Sequence, residues 1–493
     1  MIKKFGCLLL LGTLSFSLLT SDLYGAGKKK KSGGPKYPDL TKGEPWVRPE
    51  KSKNGNLPTF FNLGPTGMMG FMIGGDSGKQ ILVDIIFPNS PASEKMKKGD
   101  VILGVAGKRF EIGGDMNEVF GAAINEAEKD ENNGKLMLTL WRDKNYAKRM
   151  GALSVDMNNV DIDKLFAEAE HDEEGAVFDW MGDKAKEKSF DKMQQEKMDS
   201  AAKMDPVTMD VVLNLKVMGT FSETSPHNCP KTEKILERGM KVLRKNVTKG
   251  NRGPRFGRHW MGGHAMMAYG DPKDMEIVRE VVHNSRAFKP DRKISTWGYH
   301  YGSWHAGYQG TFLGEYYLKT KDEYVIPAMT EIATKTAMGQ TYGGSWGHSF
   351  SARSFNYGKI NMRSSGYGAM NQAGGPCFLT LAFAKYHGIT NPHIEAAIHR
   401  SSMFYGGISE NGATHYGMHG AADYADSNGK NGPPAFAFKL LGHETHTDYF
   451  AQCEATAAWW RHGGHNGGSW GAIWRTLGPN LLGPKAVELY HKN

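Results

Sequence analysis

The sequence predicts a multidomain α+β protein in which a β-rich module precedes an all-α array of helical hairpins. β-branched and alternating segments lie between residues 57 and 143, and apolar helical segments recur after residue 220. Loops in this second half close repeatedly on an aromatic residue followed by glycine. With 493 residues, the chain is long enough for two or three domains.

The beginning of the chain has the pattern of an export signal. Lys3 and Lys4 precede an apolar stretch from Cys7 to Leu19, and small residues follow where cleavage is expected. No later stretch has the length and apolar character of a membrane span. We therefore expect a signal peptide at 1–26, a basic Gly/Pro-rich linker at 27–56, and a periplasmic or extracellular protein whose mature chain has no transmembrane segment.

Charge and cysteine content disfavour two other classes of protein. The net charge is +9, but acidic and basic residues alternate in long stretches and no basic-aromatic stripe is present, which disfavours nucleic acid as a partner. The cysteines that follow the signal peptide are few and far apart, unlike a disulfide framework. We expect buried thiols at Cys229, Cys377 and Cys453, with one disulfide bridge as the alternative.

A compact set of motifs lies in residues 57–143. Strands are predicted at Ile81 to Phe87 and Lys135 to Trp141, and an amphipathic helix at Met116 to Glu128. Two strings accompany them: Gly67-Met-Met-Gly-Phe-Met72, and Ser90-Pro-Ala-Ser93 followed by Met96-Lys-Lys-Gly-Asp-Val-Ile-Leu-Gly-Val-Ala-Gly107. In this combination the segment resembles the PDZ family, with its apolar-Gly-Phe carboxylate-binding loop and its "GDxIxxVNG" signature.

The resemblance implies a peptide-binding groove. The backbone N–H groups of Met69, Gly70 and Phe71 would converge on the carboxylate of a ligand. A peptide would add as a strand beside Phe71–Ile73, with the helix at 116–128 as the other wall of the groove. The implied partners are protein C-termini or internal peptides. The alternative is a PDZ fold that only packs against neighbouring structure and has no free groove.

The next two segments differ sharply in character. Residues 144–206 are charged and Met-rich, and they are predicted to form a helical insertion or linker with little periodic apolar content. Residues 207–219 contain a strand pattern, Val211 to Val217. Our hypothesis is that this strand completes the sheet begun by Lys135 to Trp141, which would make the charged segment an insertion in a hairpin.

Residues 220–493 are predicted to form about five or six helical hairpins. Asp271-Pro272 and Asn391-Pro392 each place a cap before a proline at the first helical position, and Thr320-Lys-Asp-Glu323 is a capping box. The sequence spacing between these junctions is about the same as the spacing between four aromatic-Gly pairs. Two markers with the same spacing indicate a repeat. The pairs are Trp297-Gly298, Trp346-Gly347, Tyr416-Gly417 and Trp470-Gly471.

The hairpin array resembles the α/α-toroid class, seen in terpene cyclases, prenyltransferases and several polysaccharide lyases and glycosidases. Gln340-Thr-Tyr-Gly-Gly-Ser-Trp346 matches the Q…GxW core of the cyclase repeat, and His465-Asn-Gly-Gly-Ser-Trp470 is the same with His for Gln. Taken whole, the chain resembles a planctomycete-type family of uncharacterised exported proteins that carry a domain of unknown function. This resemblance implies an architecture and no activity.

In a ring of hairpins, the aromatic-Gly loops would gather at one end around a cavity. His and Tyr can carry protons, and Arg can neutralise a sugar carboxylate, so the candidate catalytic residues are His348, Arg353, His415 and Tyr416. Tyr308 is a further candidate proton donor. The candidate cavity-lining residues are Trp304, His305, Trp346, His419, His443, His446 and Trp470.

No cofactor is predicted, and zinc is the alternative. The strings His415-Tyr-Gly-Met-His419 and His443-Glu-Thr-His446 supply ligand types that zinc prefers, but HExxH is absent. The sequence thus predicts an exported peptide-binding and carbohydrate-binding or scaffold protein. The alternative is a carbohydrate-active enzyme, a lyase or hydrolase, with a polysaccharide as its ligand. Terpene cyclisation is excluded because no DxDD cluster is present.

Overall fold

The computed structural model describes residues 60–75, 78–111, 116–145, 205–248, 260–289, 302–351, 368–409, 411–417, 429–456, 471 and 473–492. The chain divides into two compact units between Thr220 and Phe221. An antiparallel sheet characterises the first unit and helices the second, so the protein is a multidomain α+β chain. The expected signal peptide, the linker at 27–56 and most of the Met-rich segment lie outside the described residues.

The first unit is built on one antiparallel sheet with the strand order β1-β2-β3-β4-β6-β7, in which β5 pairs with β4 only. One helix, α1 (Met116–Ala127), follows β5. The strands are β1 (Phe60–Asn62), β2 (Met68–Gly75), β3 (Gly78–Ile86), β4 (Val101–Val105), β5 (Lys108–Arg109), β6 (Lys135–Asp143) and β7 (Pro206–Asn214).

The core of this unit lies between the sheet and α1. Phe120 and Ala123 of the helix belong to the same buried cluster as Ile102 of β4 and Leu138 of β6. β6 alternates buried and partly exposed residues, the period expected when one face of a strand packs on a core. Next to this core, the Arg142 guanidinium donates two hydrogen bonds to the Asp100 carboxylate.

The strand hypothesised within 207–219 begins earlier than its sequence pattern indicates. β7 pairs antiparallel with β6 along nine residues, from Lys135 opposite Asn214 to Asp143 opposite Pro206. The ladder ends at Asn214 because its partner strand begins at Lys135, and Met218 then donates to the Glu128 carbonyl. β6 and β7 are therefore neighbours in the sheet although some sixty residues separate them.

The second unit is a set of helices that pack as hairpins. The bounds are α2 (Pro230–Thr248), α3 (Met261–Tyr269), α4 (Pro272–Asn284), α5 (Gly302–Thr320), α6 (Ile326–Met338), α7 (Asn371–Tyr386), α8 (Pro392–Ser409), α9 (Gly432–Leu441), α10 (Glu444–Thr456), α11 (Leu477–Leu482) and α12 (Pro484–Lys492).

The hairpins align their helices in two rows. α3, α5, α7 and α9 contact one another in that order, and α6, α8 and α10 form a second row against them. Every residue of α7 from Asn371 to Ala384 is buried. A helix that is buried on all its faces lies at the centre of a core, so protein covers α7 on every side.

Several predicted helix boundaries are confirmed. The Asp271 carboxylate accepts from the Lys273 N–H at the start of α4, and the Asn391 side chain accepts from the His393 N–H at the start of α8. The predicted capping box at Thr320 is wrong, because α5 continues to Thr320. Instead, Asp322 caps a 3-10 turn that precedes α6.

Two further expectations concern cysteines and membrane spans. Cys229, Cys377 and Cys453 are free and buried, as expected. Within the described ranges, every helix is too short or too polar to cross a bilayer.

Candidate functional site

A tight turn at residues 341–344 presents an aromatic side chain to solvent. The Gly344 N–H donates to the Thr341 carbonyl, and the Thr341 N–H donates to the Ser345 carbonyl. Gly344 has φ +88°, and a Cβ there would lie 2.2 Å from the Arg400 carbonyl oxygen. Only glycine fits this conformation and this approach without strain. Tyr342 sits at the tip of the turn, and 64 % of it is exposed.

Buried hydrogen bonds fix this Tyr342 turn (residues 341–344) on helix α8. The Gln340 side chain donates to the carbonyls of Gly344 and Ala397, at 3.1 and 3.0 Å. Arg400 Nε donates to Gln340 Oε1 at 2.7 Å, so the amide of Gln340 is anchored at both of its polar atoms. A fully buried amide with these partners holds its loop rigidly.

Helix α8 continues the exposed surface beside the turn. The Cβ position of Gly344 also approaches Phe404 Cβ, at 3.1 Å. Met403 precedes Phe404, lies one turn after Arg400 and is 67 % exposed. The His415 ring meets the partly exposed Phe404 ring edge-on, with centroids 6.2 Å apart. We call the exposed residues Tyr342 and Met403 and the partly exposed residues Phe404 and His415, which belong to the turn, to α8 and to the His415 loop, the aromatic platform.

The structure places Trp346 in the core and not on this surface. It is fully buried, and its Nε1 donates to the Thr336 carbonyl at 2.9 Å. Within the motif Gln340 to Trp346, the tryptophan therefore packs the hairpin while the tyrosine faces solvent. Trp346 does not match the predicted role of lining an open cavity, because the helices of the unit enclose its ring.

Two of the predicted loops meet at the start of helix α7. Asn371 donates from its backbone to the Tyr416 carbonyl and from its side chain to the His415 carbonyl, at 3.0 and 2.9 Å. Ser345 Oγ bonds to the Asn371 side chain from the other loop, at 3.1 Å. The structure thus brings the loop of His415 and Tyr416 to the loop that carries His348.

His348 is held in one tautomer. Trp304 Nε1 donates to His348 Nδ1 at 3.0 Å, so the proton of the neutral ring lies on Nε2. Burial lowers the pKa of His348 below its usual value. At neutral pH the ring is therefore uncharged, with its N–H on Nε2. His305, one residue beyond Trp304, is partly buried in the first turn of α5.

His443 and His446 lie at the other end of helix α9 from this meeting point. The Asn431 side chain, at the start of α9, accepts from the Thr414 N–H in the loop of His415. Both histidines follow the end of α9, which is about 15 Å away at 1.5 Å per residue. His446 Nδ1 bonds instead to Ser409 Oγ at 3.1 Å.

Other candidates fall elsewhere. Arg353, His419 and Trp470 lie outside the described residues. Tyr308 is fully buried and its hydroxyl accepts from Trp474 Nε1 at 3.1 Å, while burial raises its pKa above the usual value. A tyrosine in this environment does not act as a surface proton donor.

The residues predicted as a carboxylate nest are part of strand β2. Met69, Gly70 and Phe71 pair on one edge with Asn62, Phe61 and Phe60 of β1, and on the other with β3. A register shift interrupts the ladder of β2 and β3 between Met69 and Gly70. β1 covers the edge of Met69, Gly70 and Phe71, and of the segment Phe71–Ile73 beside which a peptide is predicted to add, it pairs with Phe71 alone.

In the described part of the chain, no three His, Cys, Asp or Glu side chains come together as a metal site would require. The zinc alternative therefore gains no support from the geometry of these residues.

Sequence reasoning missed Tyr342, Met403 and Phe404. Tyr342 lies inside the quoted motif, and its position before Gly343-Gly344 was a usable signal, because tight turns expose the side chains at their tips. Met403 and Phe404 gave no such signal, since only the packing of the turn against α8 places them beside it. The His264–Glu315 contact, 2.5 Å between Nδ1 and Oε2, was also missed because it joins separate helices.

Comparison with known proteins identifies one family. Neither a curated protein nor a solved structure matches this chain. A family model described as a domain of unknown function (DUF6288) matches residues 232–493, more than half of the sequence. The match begins within α2 and includes every helix of the second unit that follows it. The chain belongs to the DUF6288 family.

Proposed function

We propose that this protein is an exported binding protein whose helical domain recognises a carbohydrate-like ligand on the aromatic platform. One observation carries the proposal: Tyr342 is largely exposed on a turn that buried hydrogen bonds lock against α8. An exposed aromatic ring offers a flat apolar face with a polar tip, which suits the mixed surface of a sugar ring.

The rigidity of the turn supports binding in particular. A flexible surface tyrosine would lose conformational entropy when a ligand orders it, whereas a preorganised one loses little. The Gln340 amide, the Ser401 hydroxyl and the Gly344 carbonyl form a closed set of hydrogen bonds between the turn and α8. Such support is what a site built for recognition needs.

For the helical domain we propose an α/α-toroid-like arrangement. The two rows of alternating helices support it, as does a contact between the two ends of the array. Trp474, close to the C-terminus, donates to Tyr308 of α5 and meets the His264 ring of α3 at 5.8 Å. A segment from the last hairpin therefore packs on the first inner helices, as in a closed arrangement.

For the first unit we propose a PDZ-like fold that serves as a scaffold. The succession of β2, β3, β4, α1 and β6 supports the PDZ-like fold. The pairing of β1 with Met69 to Phe71 favours a module without a free groove at that position. Peptide binding at the predicted nest is the less supported role.

The test is glycan binding by the full-length protein, using a panel of neutral, uronate-containing and sulfated polysaccharides. We expect at least one glycan to bind and Tyr342→Ala to weaken that binding about tenfold, or about 1.4 kcal/mol. Tyr386→Ala is the matched control, because Tyr386 is similarly exposed at the end of α7. No binding to any glycan, or equal losses in both variants, would contradict the proposal.

A carbohydrate-active enzyme is the second candidate, and His348 is the observation that favours it. Its ring is uncharged with the N–H on Nε2, and in this form a histidine polarises a ligand oxygen by a hydrogen bond instead of transferring a proton to it. Incubation with the same panel would then yield shortened or unsaturated products. These products should disappear in His348→Ala and persist in His399→Ala, a change at an exposed histidine of α8.

A further inference from the structure

Helix α9 begins at a loop that a buried carboxyl group of α10 holds in place. Glu454 is fully buried, and its oxygens accept hydrogen bonds from the backbone N–H groups of Gly429, Asn431 and Gly432. Gly429 has φ +76°, a conformation that glycine adopts without strain. Because three N–H groups converge on one carboxyl group, this group fixes residues 429–432, which we call the Glu454 loop.

Asn431 joins the Glu454 loop to the loop that carries His415. Its backbone N–H donates to Glu454 at 2.9 Å, and its side-chain Oδ1 accepts from the Thr414 N–H at 3.0 Å. Both hydrogen bonds are buried, so water does not compete for them. Thr414 directly precedes His415, whose ring packs on Phe404 of the aromatic platform. The order of the His415 loop therefore depends in part on the Glu454 carboxyl group.

The contacts of Glu454 suit its protonated form as well as its ionised form. Oε2 accepts from two N–H groups and Oε1 from one, so Oε1 has room for a proton while Oε2 remains the carbonyl oxygen. Burial opposes the ionised form and raises the pKa of Glu454 to about 7, although the three hydrogen bonds and Arg475 favour the charge. The carboxyl group therefore changes its charge near neutral pH.

Other charged and titratable groups lie around this carboxyl group. Arg475 acts on it from the segment that follows Trp474, and Lys430 is buried within the Glu454 loop. Cys453 precedes it on α10, and burial raises the pKa of that thiol to about 12. Helix α11, which packs on α10, has the sequence Leu-Gly-Pro-Asn-Leu-Leu and contributes no titratable side chain. At neutral pH the thiol therefore stays protonated while Glu454 titrates.

We propose that Glu454 is a positioning residue that makes ligand binding on the aromatic platform depend on pH, with the Glu454 loop and the His415 loop ordered while the carboxyl group is protonated. This inference rests on the proposed function and adds a regulation of the same site. Opening of the Glu454 loop exposes the carboxyl group to water, where its pKa returns to about 4.5. A carboxyl group whose pKa is higher in the closed state stabilises that state at low pH, and this stabilisation is lost as pH rises through about 7.

The first measurement follows the Thr414 N–H in the full-length protein without ligand. Hydrogen exchange, read by mass spectrometry on peptides that contain Thr414 and corrected for the intrinsic rate, gives a protection factor at each pH. We expect this factor to fall about tenfold between pH 6 and pH 8 in the wild type, because the ionised carboxylate favours opening. Glu454→Gln should remove this fall, since its amide is neutral at both pH values and resembles the protonated carboxyl group.

The second measurement follows glycan binding at the same two pH values, with dextran, homogalacturonan and dextran sulfate as probes. We expect the wild type to bind its glycan about threefold more weakly at the higher pH, since only the closed loop is competent to bind. Glu395→Gln is the matched control, because it makes the same change in an exposed ion pair and should keep both pH responses. His415 is present in all three proteins, so the part of the response that Glu454→Gln removes belongs to Glu454.

The outcomes separate this inference from the function on which it rests. A protection factor that stays constant, rises with pH, or falls equally in Glu454→Gln would overturn the inference and leave glycan binding standing. The exchange of the wild type alone decides the sign, so the inference stays testable if Glu454→Gln does not fold. Failure of every glycan to bind would overturn the proposed function and with it this regulation of the platform.

Discussion

At the scale of single residues, buried charged groups hold the helical unit together. Asp274 is fully buried in α4, and its carboxylate accepts two hydrogen bonds from the Arg244 guanidinium of α2. The hydrogen bonds that Arg244 donates to Asp274 raise the pKa of Arg244 above its usual value. Breaking a buried pair by removing one charge leaves the other without compensation, which costs more than the net value of the pair.

We therefore expect Asp274→Asn to lower the free energy of unfolding by about 3 kcal/mol. Glu395→Gln is the control, because its ion pair with Lys385 is exposed and should contribute less than about 1 kcal/mol. Urea denaturation of the two variants measures both values. Equal losses of unfolding free energy in the two variants would show that the buried Asp274–Arg244 pair contributes no more to stability than the exposed Lys385–Glu395 pair.

A second buried carboxylate makes stability depend on pH. Glu454 is fully buried and accepts hydrogen bonds from the N–H groups of Gly429, Asn431 and Gly432. Burial raises the pKa of Glu454 to about 7, even though these bonds and Arg475 favour the charged form. The folded state thus binds a proton that the unfolded chain releases near pH 4.5.

Because the folded pKa is raised, the contribution of Glu454 is complete below about pH 4.5 and is lost as pH rises through 7. We expect the unfolding free energy of the wild type, minus that of Glu454→Gln, to fall by about 3 kcal/mol between pH 4.5 and pH 8. Chemical denaturation at several pH values gives this difference. A difference that rises with pH would mean that the hydrogen bonds outweigh burial.

At the scale of elements, glycines allow helices α5 and α7 to approach each other closely. Gly307, Gly310 and Gly314 lie on one face of α5, and α7 packs directly on their backbone. A Cβ added at Gly310 would lie 2.2 Å from Thr380 Cγ2, and one at Gly314 would lie 2.4 Å from Phe383 Cγ. The helices approach this closely only because glycine has no side chain.

Replacing a glycine inside a helix by alanine usually stabilises the protein, but at this contact the same change should destabilise it. We expect Gly310→Ala to destabilise the protein by about 1–3 kcal/mol, because overpacking outweighs the gain in helix propensity. Gly407→Ala in α8 should instead stabilise it by about 0.5–1 kcal/mol, since nothing lies within 4 Å of the added Cβ. Thermal unfolding of both variants checks the signs, and the same sign at both sites would contradict the close contact.

At the scale of the whole molecule, each unit has its own buried apolar cluster. The cluster of the first unit joins the sheet to α1, and the cluster of the second extends over the helices from α2 to the Trp474 segment. A unit with its own core can fold alone.

A fragment of residues 221–493 should therefore fold independently. We expect a cooperative thermal transition, and near-UV circular dichroism that indicates packed aromatic residues. The full-length chain provides the reference, and its unfolding should include a transition at the same temperature. A fragment that lacks a cooperative transition would show that the second unit needs the first.

Local sequence signals determined much of the secondary structure. Asp271-Pro272 and Asn391-Pro392 fixed the starts of two helices, because a capping side chain and the restricted φ of proline act within one turn. The strand patterns before residue 143 likewise identified β3 and β6. Within the motif Gln340 to Trp346, local sequence did not show which aromatic residue is exposed, because Trp346 is buried and Tyr342 faces solvent.

The sequence by itself determined the α+β order and the helical hairpins, because these depend on local periodicity, caps and turns. Only the tertiary structure decided that Trp346 is buried while Tyr342 is exposed, that β1 pairs with Met69 to Phe71 of β2, and that α8 brings Arg400 and Phe404 beside the turn. Each of these depends on contacts between residues far apart in the chain, and the burial of a side chain is set by what packs against it.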